Sequence, residues 1–159
     1  MKISIIAVGK LRERYLKEGI LEYGKRLSRF CDLEIVEVED EQTPENLSPS
    51  LEQQVKKKEA ERVLKRLKDG SKLIALDVKG KKLDSEEFAD RLNSFFVSGH
   101  SHITFVIGGS LGMDTEILNK SDFRLSLSDM TFPHQLTRLI LLEQVFRAFK
   151  IINNETYHK

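Results

Sequence analysis

One pattern constrains this chain more than any other: short β-branched runs alternate with segments whose apolar residues recur every three or four positions. Ile3 to Val8 is the first run, ended by Gly9, and reads as a buried strand. Leu16, Ile20, Tyr23, Leu27 and Phe30 then mark a helix with Lys and Arg on its other face. Leu33 to Val38 is the next strand. Leu51, Val55, Val63, Leu64 and Leu67 mark a second helix, stopped at Asp69-Gly70. Lys72 to Val78, Ile103 to Ile107 and Phe123 to Leu127 supply three further strands. A helix capped near Asp84 runs through Phe88, Leu92 and Phe95, a short one begins near Asp114, and the last extends from about His134 to Phe149. Strands and helices joined in turn by short loops predict an α/β fold. The expectation is a single domain over residues 1–159, with a mostly parallel five- or six-stranded sheet and helices on both faces.

Composition agrees with one domain. The 159 residues are 40% hydrophobic and 32% charged, enough for a buried core under a solvated surface. No apolar run approaches the ~20 residues of a membrane-spanning helix, and the opening segment is too soon followed by charges for a signal peptide. The single cysteine, Cys31, excludes an internal disulfide and a cysteine zinc site, so a reducing cytoplasm is the expected location. The net charge of +1 conceals an uneven distribution. Residues 1–30 hold eight Lys/Arg against three Asp/Glu, whereas residues 31–61 hold three against ten. The first helix is a candidate basic face, through Lys10, Arg12, Arg14, Lys17, Lys25, Arg26 and Arg29. Residues 39–50, acidic and holding two of the three prolines, read as a surface loop and the one place for a flexible insertion. Neither a membrane nor DNA is an expected partner.

In open α/β sheets, ligands bind at the carboxyl ends of the strands. Neither G-x-G-x-x-G after the first strand nor G-x-x-x-x-G-K-[ST] occurs, which argues against a dinucleotide enzyme or a P-loop NTPase. The glycines follow the fourth strand instead, as Ile107-Gly108-Gly109-Ser110-Leu111-Gly112-Met113-Asp114. A tight strand-to-helix turn alone would also explain them. Loops Leu127 to His134 and Leu76 to Gly80 follow the fifth and third strands, and the three strand ends could line one pocket of backbone donors and acceptors. Without an anion-cradling lysine in the glycine loop, such a pocket suits a neutral or zwitterionic adenosine-like ligand better than a triphosphate. His100 and His102 have no cysteine or carboxylate neighbour in sequence; they read as surface residues, and no metal site is expected.

The last helix is too apolar for an ordinary surface helix. Leu136, Leu139, Ile140, Leu141, Leu142, Val145, Phe146 and Phe149 spread over more than half its circumference, where an arc of about 100° would suffice. The surplus needs a second cover, either more of the same chain or, as expected here, another copy in a homodimer. His134, Arg138 and Arg147 interrupt this surface, and the two arginines read most simply as snorkelling surface residues. The chain ends Tyr157-His158-Lys159, which gathers stacking, acid–base and phosphate-binding capability at a position that is usually frayed.

Several of these segments together resemble one family. They are Gly108 to Gly112, the run Leu125 to Leu136, Arg138, the stretch Glu143 to Ala148 and the closing Tyr157-His158-Lys159. The family is the small bacterial SPOUT-class methyltransferases that act on N3 of a pseudouridine in 23S rRNA. The resemblance covers the whole chain, and the Leu125–Leu136 run is its most specific part. It implies a C-terminal trefoil knot over about residues 103–150, an obligate homodimer, and S-adenosyl-L-methionine as methyl donor. It carries donor binding to Leu76, Gly108, Leu127, Ser128, Asp129, Met130, Thr131 and Phe132, which coincide with the three strand-end loops. Two positions depart from the family pattern: Phe146 stands where tyrosine is frequent, and Thr156 where proline is.

The implied chemistry sets requirements of its own. Uracil N3 carries a proton between two carbonyls, so methylation there needs a base for the proton and donors for the oxygens. His134 and His158 are candidate bases, Tyr157 a stacking or hydrogen-bonding group, and Arg138 and Arg147 candidate cations. The expected catalytic set is His134, Arg138, Tyr157 and His158, with the last two reaching across the dimer to the donor held by the other subunit. The expected substrate is 23S rRNA within the assembled 70S ribosome, contacted by the basic first helix. A SPOUT enzyme acting on tRNA or on a ribose 2′-OH, or a ribosome-associated module without turnover, are the alternatives.

Overall fold

The computed structural model describes residues 1–157. Its elements run β1 (Lys2–Val8), α1 (Arg14–Leu27), β2 (Asp32–Val38), α2 (Pro49–Leu64), β3 (Lys72–Lys82), α3 (Ser85–Val97), β4 (His102–Ile107), α4 (Thr115–Lys120), β5 (Phe123–Ser126) and α5 (His134–Ile152). The strands form one five-stranded sheet in the order β2-β1-β4-β3-β5, and every pairing in it is parallel. That is the single α/β domain expected, with five strands rather than six.

Both faces of the inner strands are covered, which is why β1 and β4 read as unbroken apolar runs. The period of two survives in what each residue touches. Ile3, Ile5 and Ala7 pack with Ile103, Phe105 and Ile107 on one face, against Leu27 of α1, Leu92 of α3, and Leu141 and Leu142 of α5. Ile6, Val8 and Val106 face the other way, against Ala60 and Val63 of α2 and Ile117 of α4. Each such side chain contributes about 1.5–3 kcal/mol when fully buried, so these two clusters are the main stabilising element of the molecule.

Helix starts follow local chemistry. Asp84 caps α3 in a reciprocal box: its Oδ1 accepts the Glu87 N–H at 2.8 Å, and Glu87 Oε2 accepts the Asp84 N–H at 2.9 Å. Ser48 caps α2, and Pro49, assigned to the acidic loop from sequence, is its first residue. A proline there loses nothing, because that N–H has no partner in the helix anyway.

Two elements outrun their sequence limits. Helix α5 continues to Ile152. Strand β3 continues past Val78 to Lys82, because Leu76 and Lys81 both pair with Leu125 and the residues between them bulge out. The loop read after the third strand is therefore an excursion inside it. Gly80 is fixed by close approach: a Cβ there would lie 2.7 Å from the Arg124 carbonyl.

Helix α5 lies between α1 and α3 on the sheet, and its Leu141, Leu142, Val145, Phe146 and Phe149 are buried by the chain itself. Much of the apolar surplus that called for a second copy is thus covered from within. Leu136, Leu139 and Ile140 remain half-buried. Among the described residues, no helix is long and apolar enough to cross a membrane.

Candidate active site

The carboxyl ends of β3, β4 and β5 and the start of α5 surround a cleft of about 1030 Å³. Its walls are the β3 bulge from Leu76 to Lys79, the glycine loop from Gly108 to Met113, and residues of the segment between β5 and α5. Of the residues assigned to the donor, Leu76, Gly108, Leu127, Ser128, Met130, Thr131 and Phe132 lie on this wall. Asp129 does not line it; its exposed carboxylate accepts Lys82 Nζ at 2.6 Å. His134 lines the cleft, whereas Arg138 and Tyr157 do not.

The loops are held by short-range bonds. Gly112, at φ +89°, turns the chain so that its N–H reaches the Gly109 carbonyl at 3.0 Å. Ser126 Oγ donates to the Ser128 carbonyl at 3.2 Å, and the Met130 N–H donates to Ser128 Oγ at 3.0 Å. Helix α2 braces the glycine loop from below. Its Gln53 Nε2 donates to Asp114 Oδ2 at 2.8 Å, while Asp114 Oδ1 accepts the Glu116 N–H at 2.9 Å to cap α4. Glu59 is buried so close to the loop that a Cβ on Gly109 would lie 2.9 Å from its Oε1. Burial pushes the Glu59 carboxyl above the usual carboxylate range, although the Glu41 N–H it accepts works against this. Sequence gives no sign of Glu59's role, because one acid in a strongly charged helix carries no signal of burial. The start of the acidic loop is tied to the same helix: Arg62 donates to the Glu39 carbonyl at 2.9 Å and pairs with Glu41.

Arg138 corrects its sequence reading. Far from snorkelling, it is 1% exposed. Its Nη1 donates to Glu37 Oε2 at 2.6 Å and its Nη2 to the Gly9 carbonyl at 2.7 Å. Glu37 Oε2 also accepts the Leu11 N–H at 2.6 Å, and Gln135 Oε1 accepts the Arg12 N–H at 3.0 Å. The strap between β1 and α1 is thereby clamped to β2 and the first turns of α5. Burial alone would raise the Glu37 carboxyl, but the bonds from Arg138 and Leu11 outweigh it and hold it below the usual range. With both ends of its guanidinium engaged, Arg138 acts on the site through the backbone it holds. Its Nε is buried without an acceptor among the described residues. Burial, and then the charge of Arg138, lower the His134 imidazole below its ordinary value, so the ring on the cleft wall is neutral near pH 7.

Midway along α5, Glu143 accepts from three of the described residues. Tyr23 OH donates to its Oε2 at 2.5 Å, Tyr157 OH to the same oxygen at 3.0 Å, and Arg147 Nη2 to Oε1 at 2.7 Å. The Tyr157 ring stands edge-on to Phe146 at 5.0 Å and lies under the Arg147 guanidinium at 4.6 Å. Burial and then the Glu143 carboxylate raise the Tyr23 phenol. His158 lies outside the described residues. His102 is also corrected: it is half-buried, with Nε2 2.8 Å from Ser4 Oγ, and burial and then Lys2 lower it. Among the described residues, no group of three or more His, Cys, Asp or Glu is placed to hold a metal ion.

A parallel sheet with a cleft of glycine and apolar loops at its carboxyl edge has counterparts among known proteins. The family model described as Predicted SPOUT methyltransferase matches residues 1–158, and the chain belongs to the SPOUT methyltransferases. Within that family the chain is 71% identical to the Ribosomal RNA large subunit methyltransferase H of Acetivibrio thermocellus, across 100% of both proteins. It is 60% identical to the protein of the same name from Ruminiclostridium cellulolyticum, again across 100% of both. Solved structures share the fold at far lower identity. A probable methylase family protein from Haemophilus influenzae Rd KW20 superposes with a TM-score of 0.57 at 15% identity, covering 99% of this chain and 70% of that one. The tRNA (m1G37) methyltransferase of Aquifex aeolicus gives 0.51 at 14% identity, covering 92% and 70%.

Proposed function

We propose that this chain transfers a methyl group from S-adenosyl-L-methionine to N3 of a pseudouridine in 23S rRNA, on the assembled ribosome in the cytoplasm. The observation that carries this is the end-to-end likeness to relatives named for large-subunit rRNA methylation. The cleft supports it, because its walls are the loops the resemblance assigns to the donor. Glycine backbone together with Leu76, Leu127 and Phe132 offers amide and apolar surface of the kind an adenosine and a thioether chain require. When bound, S-adenosylmethionine supplies an electrophilic methyl on a sulfonium.

The chain's own residues do the rest. The loops exclude water and set the acceptor ring in line. His134 offers a neutral ring nitrogen on the cleft wall. In the proposed homodimer, His158 of the second protomer takes the N3 proton and Tyr157 packs on the acceptor base. That Tyr157 is held by Glu143, outside its own cleft, favours action in trans. Arg138 contributes by positioning the strap and the start of α5. One SPOUT domain over residues 1–159, knotted over about 103–150, completes the proposal, and the reaction as proposed uses no metal.

The test is transfer of a labelled methyl from S-adenosylmethionine to ribosomes lacking the modification, followed by nucleoside mass spectrometry. Label in N3-methylpseudouridine is expected. Label on tRNA or on a ribose would overturn the substrate, and no label anywhere would leave a binding module without turnover. His158→Ala should slow methyl transfer roughly 100-fold with ribosome binding intact.

A further inference from the structure

Two stretches carry most of the exposed cations, and they differ in how closely the unpaired ones are grouped. Between Lys10 and Arg29, Arg14 pairs with Glu18 at 2.9 Å, Arg26 with Glu22 at 3.2 Å, and Arg29 with Glu155 at 2.7 Å, which leaves Lys10, Arg12, Lys17 and Lys25, spread along the stretch, without an ion pair to another described residue. On α2 the cations that face the protein are likewise paired, Lys56 with Glu52 and Arg62 with Glu41. The outward ones are not. Lys57, Lys58, Lys65, Arg66 and Lys68 are all exposed, and none makes an ion pair with another described residue. The acids on this surface are Glu61 and Asp69, too few to neutralise it.

The position of this ridge matters as much as its charge. Ala60 and Val63 bury the opposite side of α2 against the sheet, so the cations are fixed outward. At 100° per residue Lys57, Lys58 and the C-cap Lys65 share one side of the helix, and Arg66 and Lys68 continue the stretch just past its end. One end adjoins the cleft, because Lys56 lines it and Gln53 is bonded to Asp114 beneath the glycine loop. At the other end the charge of Lys68 is felt by Glu34 and His102, at the amino edge of the sheet.

We propose that this ridge of α2, rather than the basic face of α1, is the track on which the rRNA backbone lies as it enters the cleft. The inference rests on the reading of the chain as an rRNA methyltransferase and names the surface that reading left open. Phosphates are the fitting partner because binding them releases counterions, a gain that grows with each unanswered cation. A protein partner would need an apolar anchor, and the exposed ridge from Lys57 to Lys68 offers none: its apolar residues Val63, Leu64 and Leu67 are buried or half-buried.

Two variants test it in steady-state methylation of assembled ribosomes. One is Lys57→Gln/Lys58→Gln/Lys65→Gln/Arg66→Gln; the other, Lys10→Gln/Arg12→Gln/Lys17→Gln/Lys25→Gln, serves as the α1 counterpart. The α2 variant should raise KM for ribosomes about tenfold or more, with kcat and S-adenosylmethionine affinity unchanged. Its plot of log kcat/KM against log salt should flatten by about 0.7–0.9 for each phosphate that is no longer neutralised. The α1 variant should change both less. An α2 effect no larger than the α1 effect overturns the inference, as does a photo-crosslinker at position 65 that lands on ribosomal protein instead of rRNA. If the unsubstituted chain methylates no ribosome at all, the function falls and the inference with it. If that chain is active and the α2 variant is indistinguishable from it, only the inference falls.

Discussion

Helix α5 carries two polar clusters built to different rules. Near its start, Arg138 is buried and reaches Glu37, a residue 101 positions away in sequence, together with the Gly9 carbonyl. Farther along, Glu143 at mid-helix and Arg147 one turn on are half-buried, with two phenols on the Glu143 carboxylate. The first is a clamp across the fold; the second is a local arrangement that water partly shares. Removing Arg138 strands the buried Gly9 carbonyl, a loss of about 1–3 kcal/mol, while Glu37, 39% exposed, is left to water; the local pair on the helix surface adds about 0–1 kcal/mol. The comparison therefore predicts that stability resides at the start of α5 and that the second cluster is free to serve chemistry.

The sharpest way to break it is Arg138→Met. Loss of both donors should destabilise the chain by about 2 kcal/mol, read from urea denaturation, chiefly because the Gly9 carbonyl is left without its partner. A loss below about 1 kcal/mol would erase the distinction between the two clusters. Glu37→Gln keeps an acceptor for Arg138 but not its charge, and should cost about 1 kcal/mol near pH 7. Because the folded Glu37 pKa is depressed, its contribution is complete above the ordinary carboxyl value of about 4.3 and is lost as pH falls through the lower folded value. Between pH 6 and 3 the parent should lose its advantage over Glu37→Gln; parallel curves would remove the charge from the account.

In the second cluster, Tyr157→Phe should change stability by about 0.5 kcal/mol or less, because the ring keeps its packing on Phe146 and Glu143 keeps its other donors. A large fall in methylation with an unmoved melting curve would sharpen the comparison, placing that hydroxyl in the reaction. The smallest effect belongs to the depressed histidines. His134 and His102 favour the neutral form when folded, so their contribution is present above about pH 6.5 and declines as pH falls through their lower folded values. His134→Asn should flatten part of the stability slope below about pH 6.5, and an unaltered slope would say that burial does not bias the ring.

What sequence could disclose was whatever repeats locally. The β-branched runs of β1 and β4, the Asp84 cap and the glycines after β4 each announce themselves within a few residues, and the structure has them at the expected positions. Two walls of the cleft, the loops after β4 and β5, were legible for the same reason, whereas the third is a bulge within β3 that sequence placed after the strand. What stayed hidden depends on partners remote in sequence. The burial of Arg138 is decided by Glu37 and Gly9, and that of Glu59 by its fit under Gly109. The α2 ridge is invisible to a charge balance over residues 31–61, because that span cuts the ridge in two and joins half of it to the acidic loop.

The bulge in β3 separates two properties that strands ordinarily tie together. An inserted residue normally slides every later side chain to the opposite face. Here Leu76 and Lys81 both stand opposite Leu125, so the length of the excursion between them is independent of the pairing on either side. Exchange of the exposed Val78 and Lys79 should therefore alter the cleft and leave the alignment of the sheet in place. This makes the segment a replaceable part, open to drift or to engineering of what the cleft admits. Gly80 is its fixed boundary, because the Arg124 backbone leaves no room there for any side chain.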